Sequence, residues 1–239
     1  MKILITNDDG ISSKLILLLY NKIKKLGHEV IICAPIENNS CISESIRYWE
    51  YNDNKLTKVD ENIYSHHGTP TDGINYYLRE FERPDLVISG PNIGLNASYD
   101  VQYSGTIGAA SEAINLGIKS VAISADVNAN LDTIDKGLDY ILNKIFENNL
   151  FSLDYIYSFN IPSEIKLEKI VVCPLNNGKD FNEGFDASLY QDLGEHYIKN
   201  IGKNTDLYYL KKGVMTVTPI LVDRTDYKNM PKIAHFFDK

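Results

Sequence analysis

Short unbroken apolar runs alternate with longer stretches in which apolar residues return every three or four positions. Lys2–Thr6 is the first run, and its isoleucines and leucine predict a buried strand. The polar stretch Asn7-Asp8-Asp9-Gly10 predicts its exit loop. Ser13 is placed to cap a helix whose apolar positions Leu15, Leu18, Leu19, Ile23 and Leu26 keep helical spacing, with Gly27 suited to end it. Glu29–Ala34 is the next run, a second strand closed by Pro35.

The alternation returns downstream. Asp85–Ser89 predicts a buried strand followed by a glycine-rich loop, and Thr106–Leu116 a helix ending at Gly117. Ser120–Ser124 predicts another strand, and Thr133–Asn148 a helix with the stripe Ile134, Leu138, Ile141, Leu142 and Ile145. Strands alternating with helices predict an α/β fold, a doubly wound and mostly parallel Rossmann-like sheet whose ligand site lies at the carboxyl ends of the strands.

From about residue 174 the helical period fades while Asn, Gly, Asp and Tyr accumulate. The segment 174–200 reads as an extended hairpin or arm carrying Phe181, Phe185, Leu189, Tyr190 and Tyr197, and Val214–Thr218 as one more strand. The expected organisation is a single unit over 1–239, with 1–173 as core and 174–239 as an extension and oligomerisation segment.

Composition narrows the function. The 239 residues are 44% hydrophobic, enough for a substantial core. A formal net charge of −8 opposes general binding to nucleic acid polymers or anionic membranes, so a small anionic ligand would need local positive charge from a metal ion. The N-terminus lacks the apolar region and cleavage site of a signal peptide, and no run reaches the roughly 18 apolar residues of a membrane span. Cys33, Cys41 and Cys173 form no paired motif and read as reduced thiols of a cytoplasmic protein.

Three polar loops leave predicted strands at what should be one sheet edge. Asp8 and Asp9 are adjacent carboxylates that repel one another unless a cation or proton intervenes. By themselves they read more readily as a solvated Asn-Asp-Asp-Gly turn. Ser40, after the second strand, and Asn92, after the third, offer the neutral oxygens that would complete a hard-metal site. His66-His67 reads as a solvated pair in a polar loop. His28-Glu29 lacks the second histidine of a zinc-protease helix, and the phosphate-loop, nucleophile-elbow and dinucleotide glycine motifs are all absent.

Five segments then match a known pattern in order: Ile5–Ile11; the loop Ala34-Pro35 through Ser40 to Ser43; Gly68–Asp72; Ser89–Asn96; and Tyr103–Ala110. With weaker matches at Asn160-Ile161-Pro162, Thr205-Asp206 and Gly213–Pro219, the chain resembles the SurE family of nucleotidases over nearly its whole length. The resemblance implies hydrolysis of nucleoside 5'- and 3'-monophosphates, with one divalent metal ion per subunit (Mg2+ or Mn2+). It implies metal binding by Asp8, Asp9, Ser40 and Asn92, with Asp8 and Asp9 catalytic, and phosphate-side contacts from Asn96, Ser104, Gly105 and Thr106. It further implies homodimers or homotetramers that exchange C-terminal segments. A broad phosphatase or exopolyphosphatase, or a nucleotide-binding module without turnover, stands as the alternative. The sequence departs from the pattern at Cys41, where the family usually has a small residue, often Gly, and at Ile36-Glu37.

Overall fold

The computed structural model describes residues 1–47, 56–176 and 201–237. Its strands are β1 (Lys2–Thr6), β2 (Glu29–Pro35), β3 (Thr57–Asp60), β4 (Ile63–His66), β5 (Leu86–Ile93), β6 (Lys119–Ala125), β7 (Tyr155–Ile161), β8 (Leu167–Val172) and β9 (Val214–Leu221). Its helices are α1 (Lys14–Lys25), α2 (Pro70–Glu80), α3 (Gly105–Asn115), α4 (Leu131–Asn148), α5 (Asp206–Leu210) and α6 (Met230–Ala234).

The strands form one nine-stranded sheet in the order β3-β4-β2-β1-β5-β6-β7-β9-β8. Pairings from β4 across to β7 are parallel, and antiparallel contacts occur at β3–β4 and β7–β9. This is the mostly parallel α/β architecture that the alternating pattern predicts.

Burial on both faces explains why the strands read as unbroken apolar runs. On β1, Ile3 and Ile5 face one layer, where Leu15, Leu19 and Ile23 of α1 and Leu138, Ile141 and Ile145 of α4 cover the sheet. Leu4 faces the other, against Ile74 and Tyr77 of α2 and Ala109 and Ala113 of α3. Helix starts follow local chemistry: Ser13 Oγ accepts from the Leu15 N–H, and Asn130 caps α4 by accepting from Thr133, so that helix begins at Leu131 rather than Thr133.

Within the first 93 residues the structure adds the β3–β4 hairpin and departs from the sequence reading in three further places. The expected loop after Ser89 stays in the sheet: β5 continues through Gly90 and Pro91 to Ile93, and pairing with β6 resumes at Asn92↔Ser124 after a register shift. The bulge requires Gly90, whose φ is +116° and which packs against the Ile123 carbonyl. Pro70–Glu80 is a helix with a capping box from Thr69 and Asp72, a feature the periodicity did not reveal. The histidine pair does not lie in a solvated loop, because His66 ends β4 and is buried, while His67 alone is exposed.

At the far edge β9 lies between β7 and β8, so a strand from the C-terminal third is integral to the sheet. The expected arm falls mainly on 177–200, outside the described residues. Cys33, Cys41 and Cys173 are free, matching the expectation of unpaired thiols.

Candidate active site

The chain reverses its winding direction between β1 and β5. From β1 it crosses through α1 to β2 on one side, and from β5 through α3 to β6 on the other. The exit loops of two adjacent strands therefore diverge and leave a crevice at their carboxyl ends, where open α/β sheets bind ligands. Asp8 and Asp9 leave β1 on one side of this crevice; Asn92, next to last in β5, lies on the other.

Asp8 is buried, with its carboxylate against the first turn of α3. Thr106 Oγ1 donates to Asp8 Oδ1 at 2.7 Å. Backbone N–H groups of Gly105 and Thr106 also favour its anion. Burial nevertheless prevails and raises the Asp8 carboxyl above its ordinary value. Gly105 permits the close approach, because a Cβ there would stand 2.9 Å from Asp8 Cβ.

Asp9 is half-buried, and its Oδ2 accepts from the Ile93 N–H at 3.0 Å. Burial and, to a lesser degree, repulsion from Asp8 lift its carboxyl to about 6, against that hydrogen bond. Among the described residues no lysine or arginine forms an ion pair with either carboxylate. Two neighbouring acids lifted by burial and lacking a basic partner are what a bound cation would relieve.

Asn92 donates its amide nitrogen to the Gly94 carbonyl at 2.8 Å, which turns its Oδ1 into the free end of the amide. Ser40 is exposed on the loop after β2. That loop is tied to the site by the Asn39 N–H, which donates to the Asp8 carbonyl at 2.7 Å, and by the Ser43 N–H, which donates to the Tyr103 carbonyl at 2.9 Å. Its backbone is strained, Cys41 having φ +59° and Ser43 φ +55°. Carboxylate, amide and hydroxyl oxygens suit a hard divalent ion, and among the described residues no group of three His, Cys, Asp and Glu side chains offers a softer alternative.

The candidate phosphate-side residues lie beside these donors, each with a local partner. Ser104 caps α3 by accepting from the Ile107 N–H, Gly105 packs on Asp8, and Thr106 donates to Asp8. Asn96 is buried and donates Nδ2 to Ser124 Oγ at 2.7 Å. Ser124 and Asn160, which the sequence reading did not single out as site residues, occupy the same sheet edge. A polar residue next to the end of a buried strand is the signal that could have found them.

A family described as Survival protein SurE matches residues 3–181. The chain is 36% identical, over all of its length and 98% of the relative's, to a protein named 5'-nucleotidase SurE from Thermoanaerobacter sp. (strain X514). It is 34% identical, with the same coverage, to one named 5'/3'-nucleotidase SurE from Wigglesworthia glossinidia brevipalpis. The crystal structure of the Sure protein from Aquifex aeolicus superposes with a TM-score of 0.82 at 31% identity, covering both chains completely. With a full-length sequence match, a full-length structural match and the carboxylate pair at the β1–β5 crevice, this chain belongs to the SurE family.

Proposed function

We propose that this chain is a divalent-metal-dependent phosphomonoesterase that hydrolyses nucleoside 5'- and 3'-monophosphates to nucleoside and phosphate. The observation that carries the reading is the Asp8–Asp9 pair at the β1–β5 crevice, Asp8 buried against the N-terminus of α3 and Asp9 half-buried, with no basic partner among the described residues. The names of the full-length relatives supply the substrate class.

Asp8, Asp9, Ser40 and Asn92 would hold the ion, Mg2+ or Mn2+, one per subunit. When bound, the ion supplies Lewis-acid polarisation of a phosphoryl oxygen and orients water. Asp8 is fixed by Thr106 and by the start of α3, a geometry suited to binding rather than proton transfer. Asp9 is less buried and has one oxygen anchored by Ile93, which leaves the other oxygen to accept the proton of the attacking water. Asn96 and the 104–106 turn at the helix N-terminus would donate hydrogen bonds that stabilise charge on the phosphoryl oxygens.

Phosphate release from AMP or GMP with Mg2+ or Mn2+, compared with an EDTA control, tests the reading. Equal rates in the two would refute it.

The oligomeric proposal is a homodimer or homotetramer. Tyr227, Ile233, Phe236 and Phe237 stand exposed at the C-terminal end, an apolar surface suited to a second copy. A light-scattering mass near 27.0 kDa, that of one chain, would overturn it. Among the described residues no helix is long and apolar enough to cross a membrane, and the free thiols support the cytoplasmic assignment.

A further inference from the structure

We infer that Asn160, at the carboxyl end of β7, is a positioning residue that sets Asn96 for catalysis, with Ser124 as its partner; the inference rests on the active-site reading above.

Asn160 is buried and devotes its whole amide to one residue. Its Oδ1 accepts from the Asn96 N–H at 2.9 Å, and its Nδ2 donates to the Asn96 carbonyl at 3.0 Å. Both backbone polar groups of Asn96 are thereby bonded to a side chain 64 residues away. The Asn96 side chain then donates to Ser124 Oγ at 2.7 Å. These contacts follow from strand register: Asn92, Ser124 and Asn160 are paired positions on β5, β6 and β7, so the candidate metal ligand and the two supports form a rank across the crevice.

The loop is held again two residues on. Ser98 has φ +53°, and its N–H donates to the buried Asp206 carboxylate at 2.7 Å. Asn96 is thus restrained through its own backbone, through its side chain and through the turn that follows.

The chemistry selects an amide at position 160. A neutral group that presents one acceptor and one donor side by side satisfies an N–H and a C=O together. Aspartate would accept from the N–H but set its second oxygen against the Asn96 carbonyl. The Asn96 amide has two N–H bonds; Ser124 takes one and leaves the other for a phosphoryl oxygen. Asn160 touches neither substrate nor metal on this account and acts only by fixing the direction of that second N–H.

The test is a double-mutant cycle on the full chain loaded with Mn2+, with AMP as substrate. Asn160→Ala should lower kcat/KM by about tenfold to a hundredfold, the range expected when a reacting group is misplaced by about an ångström. The Mn2+ concentration for half activity should stay within about twofold, because the metal ligands are untouched. In an Asn96→Ala background, Asn160→Ala should cost no more than about twofold, since the group it positions is gone. Multiplicative losses, or a parallel loss of metal affinity, would overturn the inference. If Asn160→Ala melts below the assay temperature, Ser124→Ala on the same two backgrounds carries the same expectation and the same refutation. Amide hydrogen exchange separates this claim from the functional reading: Asn160→Ala should strip protection from the Asn96 N–H whether or not the wild type releases phosphate, and unchanged protection would overturn it.

Discussion

The hydroxyl of Thr106 lies 2.7 Å from Oδ1 of Asp8, 98 residues earlier in the chain, and joins the first strand's loop to the first turn of α3. A group that orients a metal ligand typically contributes tenfold to a hundredfold in metal affinity. Thr106→Val keeps the shape and removes the donor, so about that factor should appear in the Mg2+ or Mn2+ dissociation constant measured by calorimetry. An unchanged constant would show that Asp8 is oriented without it.

Asp9→Asn should separate stability from activity. The Asp9 carboxyl is raised to about 6 in the fold against 3.8 in the unfolded chain, so the folded state binds the extra proton between those values and stability falls as pH rises through that window. In the metal-free protein at pH 7 the asparagine variant should therefore melt higher than wild type, and the difference should vanish at the acid end of the window. Turnover of AMP should fall at least about a hundredfold, the scale of losing one transition-state stabiliser. A variant that melts lower and turns over normally would contradict both halves.

Ser40 and Cys41 are neighbours with different expected roles. Ser40→Ala should raise the metal concentration for half activity, whereas Cys41→Ala should leave it unchanged, because a hard cation prefers hydroxyl oxygen over thiol sulfur. The φ of +59° at Cys41 explains why the family usually places a small residue there. Cys41→Val should cost about 1–3 kcal/mol in denaturant unfolding, since a β-branched residue resists that backbone, and Cys41→Gly should cost nothing. A valine variant as stable as wild type would remove the strain argument.

His66 gives the fold an acid-sensitive position. Its ring is buried, and Gly73 packs so closely that a Cβ there would stand 2.5 Å from Nε2. Burial holds the imidazole down at about 3, against 6.5 in the unfolded chain. The unfolded state therefore takes up the extra proton as pH drops below about 6.5, and stability is lost between that value and about 3. From pH 7 to 5 this group should cost about 2 kcal/mol at 1.36 kcal/mol per unit. Unfolding of His66→Phe over the same interval should show a loss smaller by about that amount, and equal slopes would place the acid sensitivity elsewhere.

Several parts of the molecule were legible in the chain because they depend on local spacing. The 3.6-residue stripes of α1 and α4 and the unbroken runs of β1, β2 and β6 answer to near neighbours, and so does the placement of Asp8 and Asp9 just after a strand. The β3–β4 hairpin was missed because β3 is exposed along its whole length and carries no alternation. Helix α2 was missed because its buried face includes Thr71, Asp72, Gly73, Tyr76 and Tyr77 rather than an aliphatic stripe.

What only the tertiary structure decided is the set of contacts made by register between distant strands. That β9 inserts between β7 and β8, that His66 is sealed under Gly73, and that Asn160 grips Asn96 all require strands from separate parts of the chain to align. A local pattern can say which face of an element is apolar. It cannot say which strand will lie beside it, because that choice minimises exposed apolar surface and unpaired backbone groups over the whole sheet at once.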